Sequence, residues 1–237
     1  MDLLGATLGW FADPLHWQGA NGIPARLGEH VAISAVSLLI AFVIAFPVGA
    51  WIGHTGRWTG LAINAANLWR ALPSLAVIAM VLPVTAALDP QAGFKLYPTV
   101  VAMVVLALPP ILVNTYTGLA GVERELLEAG RGQGMSEGQL FRRLELPLAV
   151  GVIVTGVRSG AVQVVATATL GAIFGFGGLG RYLVDGIAQR DAGQVFGGVI
   201  LVAGLVIVTE ALFALLQRAV TPRALLRPRR SGARAAA

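Results

Sequence analysis

Cysteine is absent from the 237-residue chain, and lysine and histidine are scarce, with one lysine and three histidines. The absence of cysteine excludes disulfides, thiolate metal sites and cysteine nucleophiles. The histidines, His16, His30 and His54, are scattered and do not have the spacing of a metal-binding motif. Only 12% of the residues are charged, against about 25% in an ordinary soluble domain. These deficits argue against a soluble domain and against an enzyme built around a metal or a nucleophile.

Hydrophobic residues, by contrast, make up 56% of the chain and fall in long runs. Long apolar runs predict membrane-spanning helices, whereas a membrane barrel needs short strands of alternating polarity. We therefore predict an all-α integral membrane protein with about five spans. The five runs are residues 31–51, 61–88, 98–119, 148–170 and 195–216.

The second and third runs contain polar residues and prolines, which predict helices that face protein or water rather than lipid. Pro109 and Pro110 are expected to kink or break the third span. We expect most of the polar side chains to bond between helices and some to line a solute path. The candidates for the path are Asn67, Arg70, Pro73, Ser74, Asn114, Tyr116 and Thr117.

Basic residues are distributed unevenly between the predicted loops, which indicates the orientation of the chain. With the C-terminus inside, five arginines of the inner loops and six of the tail lie inside, against four basic residues outside. The N-terminus is therefore expected outside, with an external or interfacial segment at 1–29 and a membrane domain at 30–217. Residues 171–193 are expected to form an external loop, which either lies outside or dips back into the protein. Residues 218–237 form a basic cytoplasmic tail that we expect to be disordered. Anionic lipid headgroups explain this tail better than nucleic acid does.

The long charged interruption at 121–147, named here the charged segment, is expected in the cytoplasm. Three glycines interrupt a first helix, and Ser136 to Gln139 has the form of a capping box that begins a second one. Pro147 suits the first turn of the fourth span. From the residues alone, the segment is either a solvated connector or an ordered docking element.

The charged segment contains a spaced motif of seven residues: Glu128, Ala129, Gly130, Gly134, Leu144, Leu146 and Pro147. This motif resembles the EAA loop of binding-protein-dependent ABC importer permeases. The chain departs from the pattern at Gly130, where the family has alanine, and at Leu144, where it has isoleucine. The resemblance implies the type I importer permease fold and a cytoplasmic coupling helix that docks on a separate ATPase.

Three other segments are similar to the osmoprotectant branch of that family, which imports glycine betaine, choline or carnitine. These segments are residues 72–76, 114–118 and 167–170 with 177–180. The partners implied are ABC ATPase subunits, a second permease copy or a paralogue, and an extracytoplasmic solute-binding protein. No cofactor is expected in this chain, because it has no Walker A motif and ATP is used by the partner. The alternatives are a permease for methionine, taurine or nitrate, and an ATP-independent secondary transporter.

Two further patterns have competing interpretations. Residues 175–180 fit GxGxxG, but without a strand-turn-helix context a tight turn is favoured over a dinucleotide site. Arg158 and Glu210 lie at similar depths in the fourth and fifth spans. Because a charge in lipid is costly, we predict an ion pair between them, which is either structural or part of the solute path.

Overall fold

The computed structural model describes residues 3–70 and 72–222, and within these residues the protein is all-helical. The predicted fold class is therefore confirmed, while most of the predicted disordered tail lies outside the described residues. Two 3₁₀ turns (Pro14–Trp17 and Thr169–Phe174) and a π turn (Phe141–Glu145) join α-helices. The α-helices are α1 (Leu3–Ala12), α2 (Ile23–Thr55), α3 (Thr59–Arg70), α4 (Ser74–Leu88), α5 (Ala92–Ala120), α6 (Arg124–Gly132), α7 (Glu137–Leu140), α8 (Leu146–Ala168), α9 (Gly180–Gln189) and α10 (Ala192–Val220).

Four helices of the described chain, α2, α5, α8 and α10, are long and apolar enough to cross a membrane. The second predicted span, 61–88, is not one helix but two, α3 and α4. Pro73 is the N-cap of α4, and a proline there disfavours helical geometry at the residue before it. With 15 residues, α4 is shorter than the roughly 20 needed to span alone.

Two other local expectations concern the third span and the stretch 171–193. Pro109 and Pro110 do not break the third span, because α5 continues through both of them to Ala120. Both prolines are buried in the helix bundle, where packing offsets the backbone hydrogen bonds that they remove. The stretch expected to be a loop, 171–193, contains the end of a 3₁₀ turn and all of α9.

Helix α5 lies at the centre of the fold and packs against α2, α3, α4 and α8. Small residues make the close approach possible, as a Cβ atom added at Gly49 would lie 2.8 Å from the Leu112 carbonyl oxygen. Ala41, Ala45 and Ala107 are fully buried in the same core. Small side chains at contacts of this kind are typical of helices that pack inside a membrane.

Helix α10 packs on the other side of α8 and also contacts α1 and α9. Its long apolar stretch remains exposed, with Ile207 and Leu212 more than 60% accessible. Since large apolar surfaces are not left in water, this face suits lipid or another membrane helix. The first helix, α1, buries Trp10 against Gly197 of α10.

Candidate functional site

The charged segment folds as the two predicted helices, α6 and α7, followed by the π turn and α8. The capping box is present: the Ser136 backbone N–H donates to Gln139 Oε1 over 2.9 Å, and the Ser136 side chain caps the third residue of α7. Pro147 lies in the first turn of α8. The segment is therefore an ordered helix-turn-helix joined directly to a membrane helix.

Two glycines shape this helix-turn-helix in different ways. Gly134 has a φ of +79°, and a Cβ added there would meet nothing within 4 Å, so the backbone conformation, not the space, requires glycine. Gly130 is buried, and its added Cβ would lie 2.6 Å from Cδ2 of the fully buried Leu140. Glycine at 130 thus lets α6 approach α7, and the departure from the family's alanine coincides with this tight contact.

An ion pair joins the two helices on their outer side. The Arg131 guanidinium donates from Nε to Oε1 of Glu137 over 2.8 Å and from Nη2 to Oε2 over 3.1 Å. This hydrogen bonding and the positive charge hold the pKa of the Glu137 carboxyl below its usual range. The geometry is bidentate, but both side chains are exposed, so water competes with the pair.

The motif residues divide into an exposed set and a packed set. Glu128 and Ala129 lie exposed on α6, and Gly134 is exposed in the turn. Gly130 is buried, Leu144 and Leu146 are half-buried, and Pro147 is exposed at the start of α8. The packed residues thus anchor the segment while the exposed ones face outward. Beside Glu128, a cavity of about 360 Å³ separates α6 from the end of α2; the other titratable side chains that line it are His54, Arg124, Arg131 and Glu145.

His54, in the last turn of α2, forms a contact with the charged segment that the sequence did not predict. Its Nδ1 atom lies 2.6 Å from Oε2 of Glu145, whose side chain is only 3% exposed. On the other side of the ring, Nε2 lies 3.8 Å from a Glu137 carboxylate oxygen. The ring also contacts Phe141 edge to face. One imidazole therefore touches both α7 and the π turn.

The candidate path residues lie on three elements that pack together. Asn67 and Arg70 belong to α3, and Pro73 and Ser74 stand at the start of α4. Both helices pack against α5, which carries the remaining three candidates, Asn114, Tyr116 and Thr117. The Asn114 amide donates to the Pro110 carbonyl of its own helix over 2.8 Å, a bond within one helix rather than between helices. A role in the path stays a prediction for this set.

Arg158 of α8 and Glu210 of α10 form a salt bridge in the structure. The Arg158 guanidinium also reaches the Gln217 side-chain oxygen at 3.4 Å. Gln217 donates in turn to Thr155 Oγ1 over 2.8 Å and to the Gly151 carbonyl over 3.1 Å. A ladder of polar contacts therefore holds α10 against α8.

The glycine-rich stretch 175–180 is a tight turn over the beginning of α2. The Gly178 N–H donates to Glu29 Oε2 over 2.8 Å, and a side chain at Gly177 would collide with the same carboxylate. His30 accepts from the Leu179 N–H at Nδ1 and, at Nε2, lies 2.9 Å from the Val165 carbonyl. These contacts connect α2, α8 and the turn, and sequence reasoning did not identify them. The glycines serve close packing, as a tight turn requires.

Long apolar helices around a central α5, with an ordered charged helix-turn-helix at one end, are the architecture of a multi-pass membrane protein. The chain belongs to the family of binding-protein-dependent transport system inner membrane components, whose family model matches residues 31–225. It is thus a permease subunit of an ABC importer and not a catalytic enzyme. Importers of this family work in general with an ATPase and a solute-binding protein.

Curated relatives cover most of the chain. A glycine betaine/carnitine/choline transport system permease protein of Bacillus subtilis (strain 168) is 34% identical over 84% of this chain and 89% of its own length. A choline transport system permease protein of the same organism is 35% identical over 84% and 88%. A carnitine transport permease protein of Listeria monocytogenes is 33% identical over 91% and 95%.

Solved structures give the same fold. An inward-facing structure of the MetNI methionine ABC transporter matches with a TM-score of 0.72 and 25% identity, over 82% of this chain and 94% of that one. An amino acid ABC transporter crystallised with histidines matches with a TM-score of 0.66 and 16% identity, over 94% and 99%. The type I importer permease fold that the resemblance implied is therefore confirmed.

Proposed function

We propose that this chain is the transmembrane subunit of an ATP-driven importer of osmoprotectants such as glycine betaine, choline or carnitine. The observation that carries the proposal is the charged segment, which presents Glu128, Ala129 and Gly134 outward from a helix-turn-helix anchored by buried residues. The osmoprotectant class is supported by relatives that are 33–35% identical over more than four-fifths of the chain.

The complex contains a second copy of this permease or a paralogue, two cytoplasmic ATPase subunits and an extracytoplasmic binding protein. ATP is bound and hydrolysed in the ATPase subunits, and this chain holds no cofactor. Its N-terminus lies outside the bacterial cytoplasmic membrane and its basic tail inside, in keeping with the arginine distribution. The charged segment then lies on the ATPase side.

Transport proceeds by alternating access. The loaded binding protein docks outside, ATP binding draws the two ATPases together, and the charged segments pass that movement to the membrane helices. Solute then crosses between the permeases along α3, α4 and α5, past the seven path candidates. High affinity resides in the binding protein.

The docking role predicts that Gly134→Arg and Glu128→Arg each abolish copurification of the permease with its ATPase. The turn at position 134 requires a left-handed backbone, which costs a residue with a Cβ atom about 1–2 kcal/mol. The arginine side chain also adds bulk to the exposed face that carries Glu128 and Ala129. At 128 the substitution reverses an exposed charge. The measurement is ATPase content in affinity-purified complexes from cells that also express the partner ABC ATPase.

The matched control for docking is Gly60→Arg, an exposed glycine of α3 whose added Cβ meets nothing within 4 Å. It adds the same side chain outside the charged segment and is expected to keep the ATPase. Full ATPase content in both Gly134→Arg and Glu128→Arg complexes would show that docking occurs elsewhere.

The substrate class predicts saturable, ATP-dependent uptake of radiolabelled glycine betaine, choline or carnitine. A host strain without its own osmoprotectant uptake expresses the complete transporter, and the signal is expected to disappear when the cells are depleted of ATP. Excess unlabelled methionine, taurine or nitrate is expected not to compete. Competition by methionine would indicate a methionine permease, like the MetNI structure, instead of an osmoprotectant permease. Uptake that survives ATP depletion would indicate a secondary transporter.

A further inference from the structure

His54 and Glu145 form the contact through which the charged segment reaches the end of α2. On most of this side α6 and α2 are separated by the cavity of about 360 Å³. Around the cavity a polar chain connects the two helices: Arg131 of α6 pairs with Glu137, and His54 of α2 lies between Glu137 and Glu145. A displacement of α6 therefore has a defined polar route to α2.

The two ends of this route differ in strength. The Arg131 and Glu137 side chains are 49% and 58% exposed, so their pair can open and exchange with water. The Glu145 side chain is 3% exposed, and its hydrogen-bond partner among the described residues is His54. The hydrogen bond joins Nδ1 of His54 and Oε2 of Glu145. Separating the two would leave a buried carboxyl group without its hydrogen-bond partner, which is costly.

Helix α2 is well placed to use such a contact. It packs along α5 and α8, and close to His54 the added Cβ of Gly53 would lie 2.8 Å from Leu119 Cβ of α5. A movement of the inner end of α2 is thus passed to the helix core, because α2 is one continuous helix that packs closely against α5. The neighbouring Phe141 packs against the apolar cluster that contains Ala50 of α2, so an apolar contact accompanies the polar one.

We propose that His54 is a positioning residue of the transport cycle, which together with Glu145 makes the charged segment and the end of α2 move as one body. The contact stays closed in every state of the cycle. This inference rests on the proposed function, since it requires an ATPase that moves the charged segment. It adds a second transmission point, between Glu145 within the EAA-like motif and His54 outside it, to the direct link between that segment and α8.

The first test is His54→Ala in the assembled transporter. The variant is expected to keep its ATPase and to hydrolyse ATP, while maximal uptake falls severalfold, because the movement of the charged segment is no longer passed to α2. The half-saturating solute concentration is expected to stay unchanged, because solute capture does not involve α2's inner end.

His54→Asn keeps an N–H donor near the position of Nδ1 and is expected to recover much of the uptake. Thr55→Ala, the next residue, is the control and should behave as wild type.

The second test uses the absence of cysteine from the natural chain. The double variant His54→Cys with Glu145→Cys is expected to match His54→Ala until a short bifunctional methanethiosulfonate bridges the two thiols. The bridge should then restore uptake, because it replaces the contact with a permanent one. Each single-cysteine variant with the same reagent is the control.

Several results would overturn the inference. Uptake blocked by the bridge would mean that the contact opens during the cycle, and uptake that stays low after bridging would mean that the contact transmits nothing. Normal uptake by His54→Ala would also refute it. Failure of the proposed function has a different signature: the wild-type permease would then lack a bound ATPase, and no variant would change the ratio of uptake to ATP hydrolysis.

Discussion

Replacing Gly156 with leucine is expected to remove most of the folded permease from the membrane. Gly156 of α8 faces α5, where an added Cβ would lie 2.6 Å from both the Pro110 carbonyl oxygen and Asn114 Cβ. A backbone oxygen cannot rotate away, so the two helices must separate. Overpacking costs about 1–3 kcal/mol in ordinary cores, and a backbone clash at the central helix pair belongs at the upper end. The yield of monodisperse protein in detergent and its Tm measure the effect.

A matched substitution separates this clash from the general effect of a larger residue. Gly204 of α10 is also a glycine in a membrane helix, but its added Cβ meets nothing within 4 Å. Gly204→Leu is therefore expected to keep wild-type yield and Tm. If Gly156→Leu were equally harmless, the close contact between α5 and α8 would not be the packing that holds the core.

The positions of the long helices could be predicted from the sequence, because the length and apolarity of a run are enough to identify such a helix. The predicted spans 98–119 and 195–216 lie inside α5 and α10, which extend beyond them at both ends. The extensions contain polar residues such as Lys95, Gln194 and Arg218, so hydropathy no longer marks the helix there. The break between α3 and α4 was signalled by Pro73, but a proline inside a hydrophobic run does not say whether the helix kinks or stops.

The candidate site was only half predictable for a related reason. The capping box and the glycine turn are local patterns, and the structure contains the predicted helices around them. The His54 contact joins residues 91 apart, and the His30 contact joins residues 135 apart. Such pairs leave no periodic signal in one sequence. The one local clue was Glu145, a carboxylate set between Leu144 and Leu146 in an otherwise apolar stretch.

The Arg158 and Glu210 pair could be predicted across 52 residues because the membrane removes alternatives. In water each charged side chain would be hydrated and would need no partner. Deep in a bilayer, each needs an opposite charge at the same depth. Depth follows from counting residues at the helical rise from each helix end. The same argument did not predict Gln217, since a neutral side chain is less constrained by depth.

Reversing either charge of this pair is expected to cause a severalfold loss of folded protein, and reversing both is expected to restore it. Arg158→Glu would place two carboxylates together at the seam between α8 and α10, and Glu210→Arg would place two guanidinium groups there. The double variant recreates an ion pair, although Gln217 must then turn its amide nitrogen towards the carboxylate introduced on α8, so recovery is expected to be partial.

Membrane abundance and Tm of the two single variants and the double variant measure this coupling. The exposed Arg142 supplies the control, because Arg142→Glu changes the net charge by the same amount without breaking a pair in the membrane. A double variant no more abundant than the single ones would show that the pair is not what holds α10 to α8. If all three were abundant but inactive in uptake, the pair would belong to the solute path instead of the scaffold.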